Sequence, residues 1–294
     1  MDLVEDVEIK VELLSRILRD SDSLIVAYSG GVDSSLLAYY ARRVLGDKAS
    51  IVIAVSPSLA QSELVAARAQ AIQFDWNLIE IETDEMAKDE YRRNDAMRCY
   101  FCKATLFEDL EFLAQRLNIC SIAYGANVDD LSDFRPGHKA AFEHKVLSPL
   151  QEAGLTKENI RTLAKQAGLP SWDRPQAACL ASRLPTFVPV TVEALTQVDR
   201  AESFIRELGF KQVRVRHYLH EDKQQAKVEI EKSEMGRISL EPALWDVIAE
   251  KLRSLGYDDV ILEPEGYKQG SANIMNRVDK VSEKQDLHHD LHKV

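Results

Sequence analysis

Short apolar runs alternate with amphipathic segments along the first half of the sequence, and this alternation constrains the fold more than any other feature. The run Leu24 to Tyr28 is apolar and is followed directly by Ser-Gly-Gly, which is typical of a buried strand that ends in a turn. Strands that alternate with helices predict right-handed crossovers and a parallel sheet covered on both faces. The predicted elements are helix 7–18, strand 24–28, helix 34–45, strand 50–55, helix 61–72, strand 77–81, helix 104–117 and strand 121–124.

The second half of the sequence predicts a smaller unit of mixed structure. Thr156 is the expected N-cap of a helix that stops at Gly168, and the Pro-rich stretch that follows places a domain boundary near Pro189. The chain is therefore predicted to be an α/β protein with a parallel-sheet domain at 1–188, a small α/β domain at 189–276 and a disordered tail at 277–294. The predicted elements of the small domain are helix 192–208, strands 212–218 and 226–230, helix 243–255 and strand 260–263.

Composition excludes several classes of function. The 294 residues carry 37 Lys and Arg against 48 Asp and Glu, a formal net charge of −11, which disfavours broad binding to nucleic acid phosphates. No apolar run approaches the roughly 18 residues that a membrane span needs, and the N-terminus has no basic leader. We therefore expect a soluble cytoplasmic protein with neither a nucleic acid nor a membrane partner.

The segment Ser29-Gly30-Gly31-Val32-Asp33-Ser34-Ser35 joins the first strand to its helix. Its two glycines let the backbone approach an anion, and the helix N-terminus and the serine hydroxyls supply donors. Asp33 would repel phosphate unless it binds Mg²⁺ or caps its own helix. The segment is neither a G-x-x-x-x-G-K-[ST] nor a G-x-G-x-x-G loop, and it predicts a pyrophosphate site.

The four cysteines are too few for a disulfide framework, so we expect them to serve chemistry. Cys99 and Cys102 form the pair in RCYFCK, and Cys179 follows about eighty residues later. A structural zinc site would need a fourth ligand, whereas Cys120 is expected to be a small buried hydrophobe. The remaining alternatives are a three-cysteine [4Fe-4S] cluster with one open iron, a disulfide relay, and attack by Cys179 alone. The neighbouring Arg98, Lys103 and Arg183 would favour thiolates in each case.

The segment SGGVDSS resembles the phosphate loop of PP-loop ATP pyrophosphatases. That resemblance implies a Rossmann-like domain in which ATP, with Mg²⁺, adenylates an oxygen of the substrate before a nucleophile displaces AMP. It also implies that Asp129 and Asp130 lie near the nucleotide. The residues that it places around ATP and its pyrophosphate are Ala27, Ser29, Gly30, Gly31, Asp33, Ser34, Ser35, Val55 and Gly125.

Six further segments are informative together: RCYFCK, YGANVDDLSDFRPG, SPLQEAGLTKENIRTLA, WDRPQAACLASRLP, VRVRH and GYKQGSAN. This set resembles one branch, the LarE family of ATP-dependent sulfur transferases in nickel-pincer cofactor synthesis. The resemblance implies conversion of carboxylates of pyridinium-3,5-biscarboxylic acid mononucleotide to thiocarboxylates. Some members sacrifice the sulfur of one cysteine, and others use three to hold a [4Fe-4S] cluster. Because Cys99, Cys102 and Cys179 are all present, the cluster type is expected here.

The small anionic substrate implied by this resemblance needs cations at fixed positions. Arg214 and Arg216 alternate on one predicted strand and so share a face, and Arg183 follows Cys179 closely; planar guanidiniums suit carboxylates and phosphates. Glu202 matches a family position that binds a divalent metal near the substrate phosphate. Ser233 stands where the family can offer a second acid, although Glu231 and Glu234 are near it in sequence.

The resemblance further implies a small-molecule mononucleotide substrate, a sulfide or cysteine-desulfurase-type sulfur source, and a homo-oligomer. Relatives form a hexamer, and the sequence leaves open whether this chain forms the same assembly. The sequence also allows two other functions, a tRNA-thiolating enzyme and a nucleotide-binding module without catalytic activity. A tRNA-thiolating PP-loop enzyme would need a basic docking surface, which the composition does not offer. A binding module that has lost turnover would have no use for three placed cysteines beside an intact Asp33.

Overall fold

The computed structural model describes residues 3–132, 136–175, 178–221 and 223–268. The chain forms two compact units, the first comprising Met1–Tyr91 and Met97–Ala178, and the second Arg92–Ala96 and Cys179–Val294. The division comes at Cys179, earlier than the expected boundary near Pro189. The stretch before Pro189 groups with the second unit, in which Arg183 pairs with Glu202 and the buried Asn94 amide donates hydrogen bonds to the carbonyls of Pro185 and Val188, both at 2.8 Å. The expected tail at 277–294, with His288, His289 and His292, lies outside the described residues.

The first unit contains a parallel sheet with helices between its strands, so the predicted α/β class is confirmed. The strand order is β3-β2-β1-β4, and every pairing in the sheet is parallel. The elements are α1 (Leu3–Asp20), β1 (Leu24–Tyr28), α2 (Val32–Leu45), β2 (Ala49–Val55), α3 (Gln61–Gln73), β3 (Leu78–Glu82), α4 (Asp89–Arg92), α5 (Arg98–Leu117), β4 (Ser121–Tyr124), α6 (Pro136–Glu143), α7 (Pro149–Glu152) and α8 (Lys157–Gln166).

Strand β1 is buried along its whole length because helices cover both faces of the sheet. Successive side chains of a strand point to opposite faces, and the two faces of β1 belong to different apolar clusters. Val26 packs in a cluster with Leu36 of α2, whereas Ile25 packs in a cluster with Phe107 and Leu110 of α5. Helices α2 and α5 therefore cover opposite faces of the sheet.

The carboxyl ends of β1 and β4 lie side by side. Ala27 of β1 pairs with Tyr124 of β4, so the phosphate loop that follows β1 and the segment that follows β4 leave the same edge of the sheet. Ligands of open α/β sheets bind at this edge. The fold therefore brings residues 29–35 and 125–130 together although about ninety residues separate them.

The second unit is built on a three-stranded sheet of order β5-β6-β7, in which β5 and β6 are antiparallel and β6 and β7 are parallel. Alternate β5 residues Val213 and Val215 join the apolar core, so Arg214 and Arg216 share the opposite face, as predicted. They pair in register with Glu229 and Lys227 of the neighbouring strand. The elements are α9 (Val192–Glu207), β5 (Val213–His220), β6 (Lys223–Ile230), α10 (Met235–Leu240), α11 (Pro242–Ser254) and β7 (Asp259–Leu262).

Two expectations about the cysteine-bearing region are wrong. Helix α5 begins at Arg98, six residues before the predicted start at 104, and Tyr100 of its first turn extends the helical apolar repeat of Ala104 and Phe107. Cys120 is exposed rather than buried, since it comes before β4 begins and its backbone N–H donates to Ser23 Oγ at 3.0 Å. Within the described ranges, none of the helices combines the length and apolar character needed to cross a bilayer.

Replacing Phe107 with alanine tests the packing of α5 on the sheet. Phe107 is fully buried, so Phe107→Ala should lower the free energy of unfolding by about 3–5 kcal/mol, through lost apolar contact and a residual cavity. Urea unfolding followed by circular dichroism measures this. The matched control is Phe112→Ala on the same helix, which is 63% exposed and should change stability by less than about 0.5 kcal/mol. Equal losses in the two variants would contradict the assigned packing.

Candidate active site

The phosphate loop is held by its own serines before any ligand binds. Gly30 has a φ of +76°, which L-residues rarely adopt. The hydroxyl of Ser34 accepts a hydrogen bond from the Ser29 backbone N–H at 3.2 Å and donates to the Gly31 carbonyl at 3.1 Å. Helix α2 starts directly after Gly31, its N-cap, so its first backbone N–H groups lie at the loop. Such a preformed ring of donors at a helix N-terminus suits a phosphate anion.

Gly125, which follows β4, allows the end of this strand to approach the loop backbone closely. A Cβ at this position would lie 2.6 Å from the backbone nitrogen of Ser34 and 2.9 Å from the carbonyl carbon of Asp33. No side chain fits such a gap, so the glycine is required by the close approach itself. The contact fixes the loop between two strand ends.

A cavity of about 190 Å³ opens beside the loop at the carboxyl edge of the sheet. Apolar residues from the ends of β1 and β2 meet the polar loop here, a combination that suits a nucleoside attached to a phosphate chain. Of the predicted ATP residues, Ala27, Ser29, Gly31, Asp33, Ser34 and Gly125 lie in its wall. The wall also includes Val52, Ile53, Ala54, Leu59, Lys103, Leu106 and Tyr124, while Gly30, Ser35 and Val55 lie outside it.

Asp33 does not cap its own helix, since Gly31 is the N-cap and no side chain caps α2. One Asp33 oxygen instead forms an ion pair with Lys157, and the other accepts a hydrogen bond from the Asn127 side chain at 3.3 Å. Asp129 accepts from the Lys157 backbone N–H at 2.6 Å. The two acids expected near the nucleotide thus lie close to the loop, and the structure adds Asn127 and Lys157, which the sequence did not identify.

A second cavity, of about 310 Å³, adjoins the first one. The two share Lys103, Tyr124 and Gly125 as common walls, and the second also exposes Cys99 and His138. Gly137 permits the approach of α6, because a Cβ there would lie 3.1 Å from Lys103 Cγ. One thiol of the Cys-x-x-Cys pair is therefore next to the candidate nucleotide site.

The two cysteines of the pair occupy the first turn of α5, three residues apart, where side chains share a helix face. Cys99 is exposed and Cys102 is half-buried, and Arg98 lies 3.9 Å from the Cys99 sulfur. Cys179, which begins the second unit, is also exposed. In neither unit by itself do the described residues gather three His, Cys, Asp or Glu side chains at metal-binding spacing. Thiolates are the usual ligands of iron–sulfur clusters, so these cysteines are of the right chemical type, and their role as cluster ligands stays a prediction.

In the second unit, Arg183 and Glu202 form a buried two-pronged ion pair. Arg183 donates from Nε and Nη2 to the two Glu202 oxygens at 2.8 and 3.0 Å. Arg206 and the Val215 backbone N–H donate to the same carboxylate at 2.6 and 3.0 Å. Burial raises the Glu202 pKa, but the attraction and hydrogen bonds of Arg183 outweigh it, and the pKa lies below its ordinary value.

This network bears on the predicted metal role of Glu202. Four donors already occupy its two oxygens, so a divalent cation at this position would have to displace at least one of them. Of the neighbouring acids, Glu234 accepts hydrogen bonds from the backbone N–H groups of Lys211 and Gln212. In this structure Glu202 orients arginines, and its binding of a metal stays a prediction.

The three predicted substrate arginines differ in their surroundings. Arg183 also donates to the Cys179 carbonyl at 3.0 Å, and Arg216 binds Glu229 and the Ser182 carbonyl, both at 3.0 Å. Arg214 is 7% exposed, donates to its neighbour's carbonyl and lies over the Tyr267 ring. Burial, and next the charge of Arg183, lower the Arg214 pKa.

Arg214 is therefore the arginine best placed to accept an anion. Within the described ranges no carboxylate is hydrogen-bonded to it, unlike Arg183 and Arg216. A buried guanidinium held near another cation gains stability when an anion joins it.

A four-stranded parallel sheet with this loop at its first strand–helix junction defines a Rossmann-like domain of the PP-loop class.

A scan against protein-family models found no match. Three curated proteins resemble the chain over most of its length. An uncharacterised protein of Synechocystis sp. is 40% identical over 266 residues, 90% of this chain and 97% of the relative. An uncharacterised protein of Methanocaldococcus jannaschii is 29% identical over 83% of this chain and 90% of the relative.

The third relative has a name that states its function. It is the pyridinium-3,5-bisthiocarboxylic acid mononucleotide synthase of Lactiplantibacillus plantarum, 32% identical over 257 residues, which are 87% of this chain and 91% of the relative. The chain belongs to the family of this synthase, the LarE family.

Substituting Gly125 tests how tightly the end of β4 contacts the phosphate loop. Gly125→Ala should displace the loop backbone, lower stability by about 1–3 kcal/mol, and weaken pyrophosphate binding in isothermal titration calorimetry. Gly236→Ala is the control, because a Cβ there meets nothing within 4 Å and should keep or raise stability by up to about 1 kcal/mol. Unchanged pyrophosphate affinity in Gly125→Ala would contradict this geometry.

Substituting Glu202 tests the buried ion-pair network. Glu202→Gln leaves two arginines without their counter-charge and should cost about 3–5 kcal/mol near neutral pH, measured by urea unfolding. Because the pKa of Glu202 is lowered by its arginine partners despite its burial, its stabilisation is complete above the ordinary carboxyl pKa and is lost as pH falls through the lowered value. The variant should therefore lose less stability on acidification than the parent protein. Glu193 is exposed on the same helix, so Glu193→Gln should have the same free energy of unfolding as the parent protein, both near neutral pH and after acidification.

Proposed function

We propose that this protein is an ATP-dependent sulfur transferase acting on pyridinium-3,5-biscarboxylic acid mononucleotide. It would convert carboxylates of this compound to thiocarboxylates for nickel-pincer cofactor synthesis. The observation that carries the proposal is the shared wall of Lys103, Tyr124 and Gly125 between the phosphate-loop cavity and the cavity that exposes Cys99. Activation by a nucleotide and delivery of sulfur require such neighbouring sites, and the name of the Lactiplantibacillus relative supplies the substrate class.

The phosphate loop would bind the β- and γ-phosphates of ATP through the N-terminal N–H groups of α2 and the hydroxyls of Ser29 and Ser34. Asp33, in the wall of the same cavity, offers a hard oxygen ligand for Mg²⁺. A substrate carboxylate oxygen attacks the α-phosphorus, the bond to the β-phosphate bridge breaks, and pyrophosphate leaves. The products are an acyl adenylate, whose AMP is a good leaving group, and pyrophosphate.

Sulfur then replaces AMP at the activated carbon. When bound, a [4Fe-4S] cluster ligated by Cys99, Cys102 and Cys179 would supply sulfide for this transfer. Cys99, which is exposed, and Cys102, which is half-buried, would act from the start of α5, and the Arg183 hydrogen bond to the Cys179 carbonyl would orient the third cysteine. Lys103, which lines both cavities of the first unit, would contribute positive charge near the adenylate.

Arg214, with Arg183 and Arg216 beside it on the second unit, would bind the anionic groups of the mononucleotide. Its single carbonyl hydrogen bond and its burial leave donors that suit a phosphate or carboxylate. The proposal also includes a cytoplasmic location, a sulfide or cysteine-desulfurase-type sulfur source and a homo-oligomeric assembly. The net charge of −11 argues against tRNA as the thiolated substrate.

Cysteine variants, prepared anaerobically and reconstituted with iron and sulfide, test the sulfur source. Cys99→Ala, Cys102→Ala and Cys179→Ala should each lose bound iron and repeated turnover with ATP and the biscarboxylate mononucleotide. Cys120→Ala is the matched control, because Cys120 is also an exposed free thiol but lies outside both cavities, and it should keep iron content and turnover. Iron and sulfide analysis, together with product counting by mass spectrometry, supply the readouts.

Two outcomes would contradict parts of this proposal. A single turnover in protein that holds no iron, with the mass of hydrogen sulfide lost at Cys179, would show that Cys179 is the sacrificed sulfur donor and that no cluster is used. Thiolation of tRNA without action on the mononucleotide would overturn the substrate assignment.

A further inference from the structure

Lys157 and Asp33 form an ion pair at the edge of the phosphate loop that the reaction outlined above does not use. Asp33 lies in the wall of the loop cavity, in the first turn of α2. Lys157 is the first residue of α8, and its ammonium contacts Oδ2 of Asp33. The pair joins residues that are 124 positions apart in the sequence.

The position of Lys157 is electrostatically unfavourable for its own helix. The N-terminus of a helix carries partial positive charge, so a lysine in the first turn is repelled by it. Helix α8 does not need this lysine for capping, since Thr156 and Asn159 form a complete capping box. A lysine at this position is therefore better explained by its ion pair with Asp33 than by any contribution to the stability of α8.

Asp33 poses the complementary problem, because a carboxylate in the wall of an anion site repels phosphate. Its Oδ1 accepts a hydrogen bond from the Asn127 amide. Asn127 is itself fixed by two further hydrogen bonds, accepting from the Asp129 N–H at 2.9 Å and donating from its own N–H to Asp130 at 3.1 Å. Only the Lys157 contact comes from a long, flexible side chain, about one-third exposed, so it is the partner that can leave.

We propose that Lys157 is the resting counter-ion of Asp33 and is exchanged for Mg²⁺ when a magnesium nucleotide binds. In the empty site the ammonium neutralises the carboxylate. When Mg²⁺ takes the carboxylate, the ammonium is released to a phosphate oxygen of the nucleotide. This role rests on the proposed use of ATP, which it deepens by assigning a phosphate-binding residue outside the loop.

The exchange makes the effect of Lys157 depend on magnesium, which a purely structural role would not do. Without Mg²⁺, Lys157→Met leaves the Asp33 charge uncompensated beside the incoming phosphates. Its affinity for pyrophosphate should then fall about tenfold or more, the size expected for losing a charged hydrogen-bonding partner. With Mg²⁺ present the metal compensates the Asp33 charge, so the variant loses only the contact between the ammonium and the phosphate, and its affinity should fall by a clearly smaller factor.

The experiment is isothermal titration calorimetry of pyrophosphate and ATP, with Mg²⁺ or with a chelator, on the full chain. The variants are Lys157→Met, Lys157→Arg, Asp33→Asn and the double variant of Lys157→Met with Asp33→Asn. Lys157→Arg keeps the charge and should retain most magnesium-free affinity. The double variant carries no uncompensated charge, so it should bind magnesium-free pyrophosphate more tightly than Lys157→Met alone. Lys165→Met is the control, because Lys165 is on the same helix over Trp172 and should change neither affinity.

The inference is overturned if Lys157→Met weakens both forms of the ligand by the same factor, or if Asp33→Asn fails to relieve the loss. Thermal melts show whether each variant folds, and the charge-balanced double variant provides the comparison if Lys157→Met does not. A parent protein that binds neither pyrophosphate nor ATP overturns the inference and the use of ATP together. A magnesium-dependent effect of Lys157 without thiolation of the mononucleotide supports the exchange and rejects only the substrate assignment.

Discussion

The contact between Gly125 and the phosphate-loop backbone is the constraint on which the candidate active site depends. Parallel pairing of β1 with β4 brings the two segments to one edge of the sheet, and only a residue without a Cβ lets them touch. Without that approach, Asn127 could not reach Asp33 and the cavity would lose one wall. A single missing methyl group thus determines the geometry of residues from three separate parts of the chain.

The same edge explains why two kinds of chemistry can be neighbours. Helix α5 covers the face of the sheet opposite to α2 and begins with the Cys-x-x-Cys pair. Its first turn therefore meets the carboxyl end of β4 at Tyr124 and Gly125, where the phosphate loop also ends. Because Lys103 follows Cys102 directly, the residue that lines both cavities comes from the same turn as the thiols. The nearness of the two cavities then follows from sheet topology.

The sequence predicted the parallel sheet, most element bounds and the loop residues, because apolar periodicity and Gly-rich turns are local signals. It failed where the determining contact is distant. The exposure of Cys120 depends on where β4 begins. The early start of α5 at Arg98 was missed although Tyr100, Ala104 and Phe107 stand at helical spacing. The partner of Asp33 is 124 residues away, so no spacing rule could identify Lys157. Its one local signal was a lysine in the first turn of a helix.

Charge shows most clearly why composition does not predict a site. The chain carries a net charge of −11, yet the β5 region buries Arg183, Arg214 and Arg216 together. Glu202 makes this possible, since one ionised carboxylate receives both Arg183 and Arg206, and Glu229 does the same for Arg216. Each of these two carboxylates offsets an arginine in the net charge of the chain, and each also holds a guanidinium in a fixed position. Arg214 is left without a carboxylate partner among the described residues, so an anionic ligand would complete the charge balance that the protein itself leaves open.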